Sequence, residues 1–171
     1  MYAGMPEKLF PADTSAGWIE GEGQKLIITG TVYKKNGTTP AKDVILYYYH
    51  TDNSGKYTPR GDQPARRHGY LRGWVKTDSR GRYTIHTIRP MHYPNETFAA
   101  HVHIILKEPD YNEYYLDEWV FDDDKFLTTA VRNRYEKRGG NGIMHAEKKD
   151  GIWKVEQNIT CGLNIPNYPG K

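Results

Sequence analysis

Ala99-Ala100-His101-Val102-His103-Ile104-Ile105-Leu106 decides the fold. The run is apolar apart from two imidazoles, and turn residues bound it on both sides, which is the pattern of a buried strand. Successive strand side chains point to opposite faces. Val102, Ile104 and Leu106 therefore turn toward a core. His101 and His103 share the other face, roughly 7 Å apart at Cα. Two rings at that spacing can hold one metal ion, or they can be two hydrogen-bonded histidines on a wet strand. The tripeptide alone leaves both open.

The flanking sequence is built of similar pieces. Lys25 to Lys34 alternates, with Leu26, Ile28 and Val32 on one side, and reads as a half-buried strand. Val44 to His50 is β-branched and aromatic, and Asp52-Asn53-Ser54-Gly55 breaks it. Trp74 to Lys76 and Arg82 to Ile88 read as strands joined by a hairpin turn at Asp78-Ser79-Arg80-Gly81. Tyr115 to Phe121 reads as another strand. Two irregular segments interrupt the pattern: residues 58–69 (TPRGDQPARRHG) and Arg89 to Thr97, which holds two prolines. Structured loops of that length are more often functional than accidental.

After Asp122-Asp123-Asp124, the apolar positions Phe126, Leu127, Ala130, Val131 and Tyr135 predict one short amphipathic helix with an Asp as N-cap. Gly139-Gly140-Asn141-Gly142 ends it. Ile143 to Ala146 and Ile152 to Ile159 predict a closing hairpin over Lys149-Asp150-Gly151. Seven or eight short strands, regular turn signals and one helix define an all-β chain, a β-sandwich of mixed sheets with long loops. Residues 1–24 read as a loose N-terminal arm and residues 25–171 as a single domain.

Composition narrows the function. The 171 residues carry 24 Lys and Arg against 21 Asp and Glu, a net charge of +3, with the basic residues scattered. No basic stripe suits nucleic acid. No apolar run reaches the ~18 residues of a membrane-spanning helix. One cysteine, Cys161, excludes an intrachain disulfide and any cysteine-based zinc site. Residues 1–10 lack the apolar core of a signal peptide. The chain is expected in the cytoplasm if Met1 is native, and outside it if a leader was trimmed. Fourteen tyrosines against four phenylalanines is a heavy bias. Strand packing explains most of them, and a few are free to be ligands.

A two-histidine chelate needs further donors. No Asp or Glu stands in the pattern of a ferrous facial triad. Tyr93, in Arg89-Pro90-Met91-His92-Tyr93-Pro94, precedes a proline and is held extended. Tyr57, in Gly55-Lys56-Tyr57, follows the second strand. A phenol titrates near 10, so tyrosinate at neutral pH calls for a strong Lewis acid. Ferric iron fits, and zinc, which prefers His, Cys and carboxylate, fits poorly. Each tyrosine taken alone is also explained as a packed ring with a bonded hydroxyl. The acidic triplet Asp122–Asp124 reads as capping and surface.

These residues occur in an order that resembles the intradiol ring-cleavage dioxygenase family, the catechol and protocatechuate type, from about Leu26 to Asp124. Gly30-Thr31-Val32 with Pro40-Ala41 opens the likeness, and Val44 to Tyr57 matches a strand ending in Gly-x-Tyr. Leu71-Arg72-Gly73, Thr77-Asp78 and Gly81-Arg82-Tyr83 match a middle signature. Thr87-Ile88-Arg89-Pro90 with Tyr93, Ala100-His101-Val102-His103, and Phe121 with its acidic neighbours complete the series. The resemblance implies a prealbumin-like sandwich holding one non-haem Fe(III), with Tyr57, Tyr93, His101 and His103 as ligands. It implies a catechol as substrate, chelated as a dianion with displacement of Tyr93, and O2 as co-substrate. Ring opening between the two hydroxyl-bearing carbons gives a muconate-type diacid.

Two positions depart from the family. An Arg usually stands three residues before the first histidine, where this chain has Phe98. A Gln usually precedes the Phe of the closing strand, where this chain has Glu118. Arg72 is the candidate replacement cation. The helical dimerisation domain of catechol dioxygenases has no counterpart in residues 1–24, and the oligomeric state stays open, a homodimer among the options. Three functions stand: an iron(III) intradiol dioxygenase, an iron-binding relative without turnover, and a non-enzymatic β-sandwich binding module.

Overall fold

The alternating segments pair into two sheets. The computed structural model describes residues 1–16, 18, 22–60 and 67–169. The first sheet runs β1 (Ala12–Ala16), β5 (Arg82–Ile88), β2 (Lys25–Tyr33), β11 (Ile152–Glu156), β10 (Glu147–Lys149), and β12 (Ile159–Thr160) also pairs with β2. The second runs β4 (Arg72–Lys76), β3 (Ile45–His50), β6 (His101–Lys107), β8 (Trp119–Phe121), β9 (Ile143–Met144), with β7 (Tyr114–Tyr115) paired to the far end of β6. Both sheets mix parallel and antiparallel pairs. Among the described residues no helix is long and apolar enough to cross a membrane.

The core lies between the sheets and follows the alternation. Leu26, Ile28, Ile85 and Ile88 from the first sheet meet Leu46, Tyr48, Val102, Ile104, Leu106, Trp119 and Phe121 from the second. Gly30 is glycine because a Cβ there would stand 1.9 Å from the Gln157 carbonyl oxygen. That close approach lets Tyr83 donate its hydroxyl proton to the same carbonyl at 2.5 Å. Arg89 closes one edge. Its guanidinium lies 4.3 Å from the Phe121 ring centroid and 4.4 Å from that of Trp153, and it pairs with Asp123. Cys161 is fully buried, and burial pushes its thiol up to about 12. It packs as a small hydrophobe.

Several local expectations change. The first part of the arm is ordered: Ala12–Ala16 form β1, parallel to β5, and Met1, Met5 and Leu9 pack on the outer face of the second sheet. Backbone pairing holds it, which an irregular composition does not advertise. The turn at Asp78–Gly81 does form, with the Asp78 carboxylate accepting from the Arg80 and Arg82 amides. It is no hairpin, because β4 pairs with β3 and β5 with β2, so the chain crosses between sheets there.

Tyr115 to Phe121 splits into β7 and β8 around residues 116–118. The helix shrinks to α1 (Thr129–Arg132), capped by Thr128 rather than by an Asp. Asp124 is engaged elsewhere, and two β-branched threonines start the helix poorly. In the closing segment β10 and β11 form the hairpin, while Ile143–Met144 leave as β9 to join the other sheet. Residues 61–66, the middle of the first long loop, lie outside the described residues, as do 170–171 at the tail.

Candidate metal centre

β6 divides its side chains as the alternation requires. Val102, Ile104 and Leu106 are buried between the sheets, and His101 and His103 emerge on the outer face, half-buried. Tyr49 on β3 lies opposite His103 in register, and its ring stacks on the imidazole at 4.5 Å.

Two loops deliver the tyrosines to the same place. Asp52 organises the first as an Asx turn. One carboxylate oxygen accepts from the Ser54 amide (2.8 Å), the Ser54 hydroxyl (2.6 Å) and the Lys56 amide (3.1 Å), and the other accepts from the Thr58 hydroxyl (2.5 Å). Burial opposes ionisation of Asp52, but these bonds together outweigh it and hold the carboxyl below the usual range. The second loop is laced to the first. The Thr51 hydroxyl donates to the Met91 carbonyl at 2.5 Å, and the Met91 amide donates to the Asp52 carbonyl at 3.3 Å. Gly55, at φ 76°, lies where a Cβ would meet the His92 carbonyl oxygen at 2.2 Å. The Gly-x-Tyr and Pro-x-x-Tyr segments thus touch through their backbones, and Tyr57 and Tyr93 come together.

The four side chains converge. Tyr57 Oη lies 2.8 Å from Tyr93 Oη and 3.1 Å from His103 Nε2, and Tyr93 Oη lies 3.2 Å from His101 Nε2. The proton order follows from one contact. His101 Nδ1 faces the Ala99 carbonyl at 2.8 Å. A carbonyl only accepts, so Nδ1 carries the hydrogen and the neutral ring has its lone pair on Nε2. Tyr93 must donate there, Tyr57 must donate to Tyr93, and His103 must donate to Tyr57 from Nε2. Burial depresses the basicity of His103 to about 3, so that ring is neutral. Burial, then the bond to Tyr93, raises the Tyr57 phenol well above its ordinary value.

Two phenol oxygens and two Nε2 atoms, aimed at one point, form an N2O2 donor set, and one imidazole is locked in the tautomer a metal ligand needs. Releasing both phenol protons at neutral pH requires a cation of high charge, which matches ferric iron better than zinc. Among the described residues no group of three or more His, Cys, Asp or Glu could hold a metal. The acidic triplet is separately occupied: Asp122 with His145 (2.6 Å), Asp123 with Arg89, and Asp124 with the Ala100 and Phe126 amides (2.9 and 2.8 Å). The bond to Ala100 pins the start of the histidine strand.

A cavity of about 630 Å³ opens over this cluster. Tyr93, His101 and His103 line it and Tyr57 does not, so Tyr57 sits behind and Tyr93 in front. Phe98, Ala99, Val120, Phe126, Val131 and Tyr135 supply apolar wall, with Asp117, Glu118 and Arg134 as charged members. Phe98 is 62% exposed there. Arg72 is buried, in register with Tyr49 one strand beyond, and is not among the lining residues.

Sequence reasoning passed over Asp52, Arg134 and Tyr49. The Asp-x-Ser-Gly turn was a signal for the first. Arg134 reaches the cavity only through the fold. Of the remaining histidines, His68 stacks on the other face of Tyr49 at 3.7 Å, and His92 packs edge-on to Phe126 at 5.0 Å.

The β-sandwich of two mixed sheets is a fold shared with known proteins. A family model described as Dioxygenase matches residues 11–137. The chain belongs to the intradiol ring-cleavage dioxygenase family.

It is similar in structure to the dioxygenase domain of a dioxygenase carbohydrate-binding protein fusion from Streptomyces sp. SirexAA-E, at 19% identity and TM-score 0.65 over 94% of both chains. It is similar to hydroxyquinol 1,2-dioxygenase from Pseudomonas putida DLL-E4, at 22% identity and TM-score 0.68, covering 94% of this chain and 62% of that one. An intradiol ring-cleavage dioxygenase from Tetranychus urticae matches at 19% identity and TM-score 0.62, over 91% and 88%. At these identities the likeness is one of fold. No curated protein matches the chain.

Proposed function

We propose that this chain is a non-haem Fe(III) dioxygenase that opens a catechol-type ring between its two hydroxyl-bearing carbons, with both atoms of O2 entering the product. The observation that carries the reading is the convergence of Tyr57, Tyr93, His101 and His103 at the floor of the cavity. These four residues would hold the iron. Ferric iron, when bound, would supply a Lewis acid that chelates the diol and draws electron density from it.

The chain's own residues then divide the remaining work. Tyr57, behind the cluster and bonded to His103, is placed to stay. Tyr93, in the cavity wall, is placed to leave and to take up a substrate hydroxyl proton at Oη. The walls formed by Phe98, Phe126, Val131 and Tyr135 exclude water from the ring plane and orient it. Arg72, buried and paired in register with Tyr49 on β3, is separated from β6 by that strand. Turnover unchanged in Arg72→Ala would remove it from the mechanism.

A second reading, iron binding without turnover, is favoured by Phe98 standing exposed in the cavity where the family usually places an Arg. One experiment separates the readings: the visible spectrum of Fe(III)-loaded protein, with and without anaerobic catechol, followed by oxygen uptake. A broad tyrosinate-to-iron band that moves to longer wavelength with catechol, followed by oxygen consumption, is the expected result. The same band without oxygen consumption would support the second reading. A protein that stays colourless after iron loading would sink both and leave a binding module.

A further inference from the structure

We infer that Glu118 is the positioning residue of His103, an inference that rests on the iron reading above. The two imidazoles are held differently on their outer nitrogens. His101 Nδ1 has a backbone carbonyl at 2.8 Å. Among the described residues, His103 Nδ1 has only the Glu118 carboxylate, at 3.7 Å. That distance is too long for a hydrogen bond. His103 directs Nε2 to Tyr57 at 3.1 Å, which leaves Nδ1 facing the Glu118 carboxylate.

A cation taken up at Nε2 leaves Nδ1 as the one ring position for the proton, and Glu118 then stands in front of a donor. The Tyr49 stack holds the imidazole plane, so the ring meets Glu118 rather than turning from it. Glu118 is exposed, and no Lys or Arg lies within ion-pair distance of it among the described residues. It is free to close the gap. A carboxylate behind a histidine ligand fixes the tautomer and strengthens the ligand's donation. The neutral amide usual at this position in the family would do so more weakly.

The test loads wild type, Glu118→Gln and Asp117→Asn with Fe(III), then measures iron loss to a competing chelator and the position of the tyrosinate-to-iron band. Asp117→Asn removes the same charge from the same cavity without facing His103. Glu118→Gln is expected to lose about 10- to 100-fold in iron affinity. Its band should move to longer wavelength, because a weaker His103 leaves the iron more electron-poor. Asp117→Asn should match wild type. Wild-type affinity and band in Glu118→Gln, or an equal shift in Asp117→Asn, overturns the proposal and leaves the iron reading standing. Wild type that forms no coloured iron complex overturns both.

Discussion

The two faces of β6 differ in what they ask of the same strand. Inward, Val102, Ile104 and Leu106 are closed in by both sheets. Outward, His101 and His103 are half-buried, share hydrogen bonds with two loop tyrosines and open into a cavity. His50, opposite Val102 on β3, sharpens the contrast. It is an imidazole on the inner face, fully buried, with Nδ1 donating to the Thr51 carbonyl at 2.8 Å and Nε2 2.7 Å from the Thr87 hydroxyl. One kind of ring is structural where all its nitrogens are spent inside the fold. It becomes a candidate ligand where Nε2 points outward.

Substitutions should separate the faces, and the largest effect belongs outside. His103→Ala should lower catechol turnover at least about a thousandfold, roughly 4 kcal/mol of barrier, while the iron-free melting temperature stays near wild type. A melting loss as large as that of a core variant would erase the distinction. On the inner face, Ile104→Ala should cost about 2–5 kcal/mol of stability by urea unfolding and leave the iron spectrum of the folded fraction in place. A cost below 1 kcal/mol would mean that the core does not depend on this strand.

Next in size is a pH effect. Burial pushes His50 down to about 4, while the unfolded chain protonates near 6.5. Between those values the unfolded state binds the extra proton, so stability falls as pH falls. From pH 7.5 to 5 the loss should be about 2 kcal/mol, read as the wild-type slope minus that of His50→Gln. Equal slopes would place His50 outside the inner-face logic. Smallest is Arg89→Met, which keeps the packing but gives up the two ring faces and the Asp123 pair. It should cost about 1 kcal/mol, measured by thermal melting, with the iron band unchanged.

Much of this was legible along the chain. Alternation identified β2 and β6 and the face each would bury, because a period of two is a local property, and β-branched and aromatic content identified β3. The order of Tyr57, Tyr93, His101 and His103 pointed to the donor set. Partner choice was not legible. The Asp78–Gly81 turn looks like a hairpin in sequence, and only the competing pairings of β4 with β3 and β5 with β2 send it across the sandwich. The fate of Ala12–Ala16 was hidden likewise, since its partners, the β5 backbone and the Tyr48 hydroxyl and Trp74 amide that donate to the Asp13 carboxylate, are distant in sequence.

The sequence by itself determined which side chains could chelate and which had to be buried, since residue chemistry and strand alternation are written residue by residue. Only the tertiary structure decided that Gly55 meets the His92 carbonyl, that Tyr93 fronts the cavity while Tyr57 backs it, and that Glu118 stands beside His103. Those facts depend on how two loops and two strand ends distant in sequence approach in space, and distances between such segments are set by the packing of the sheets.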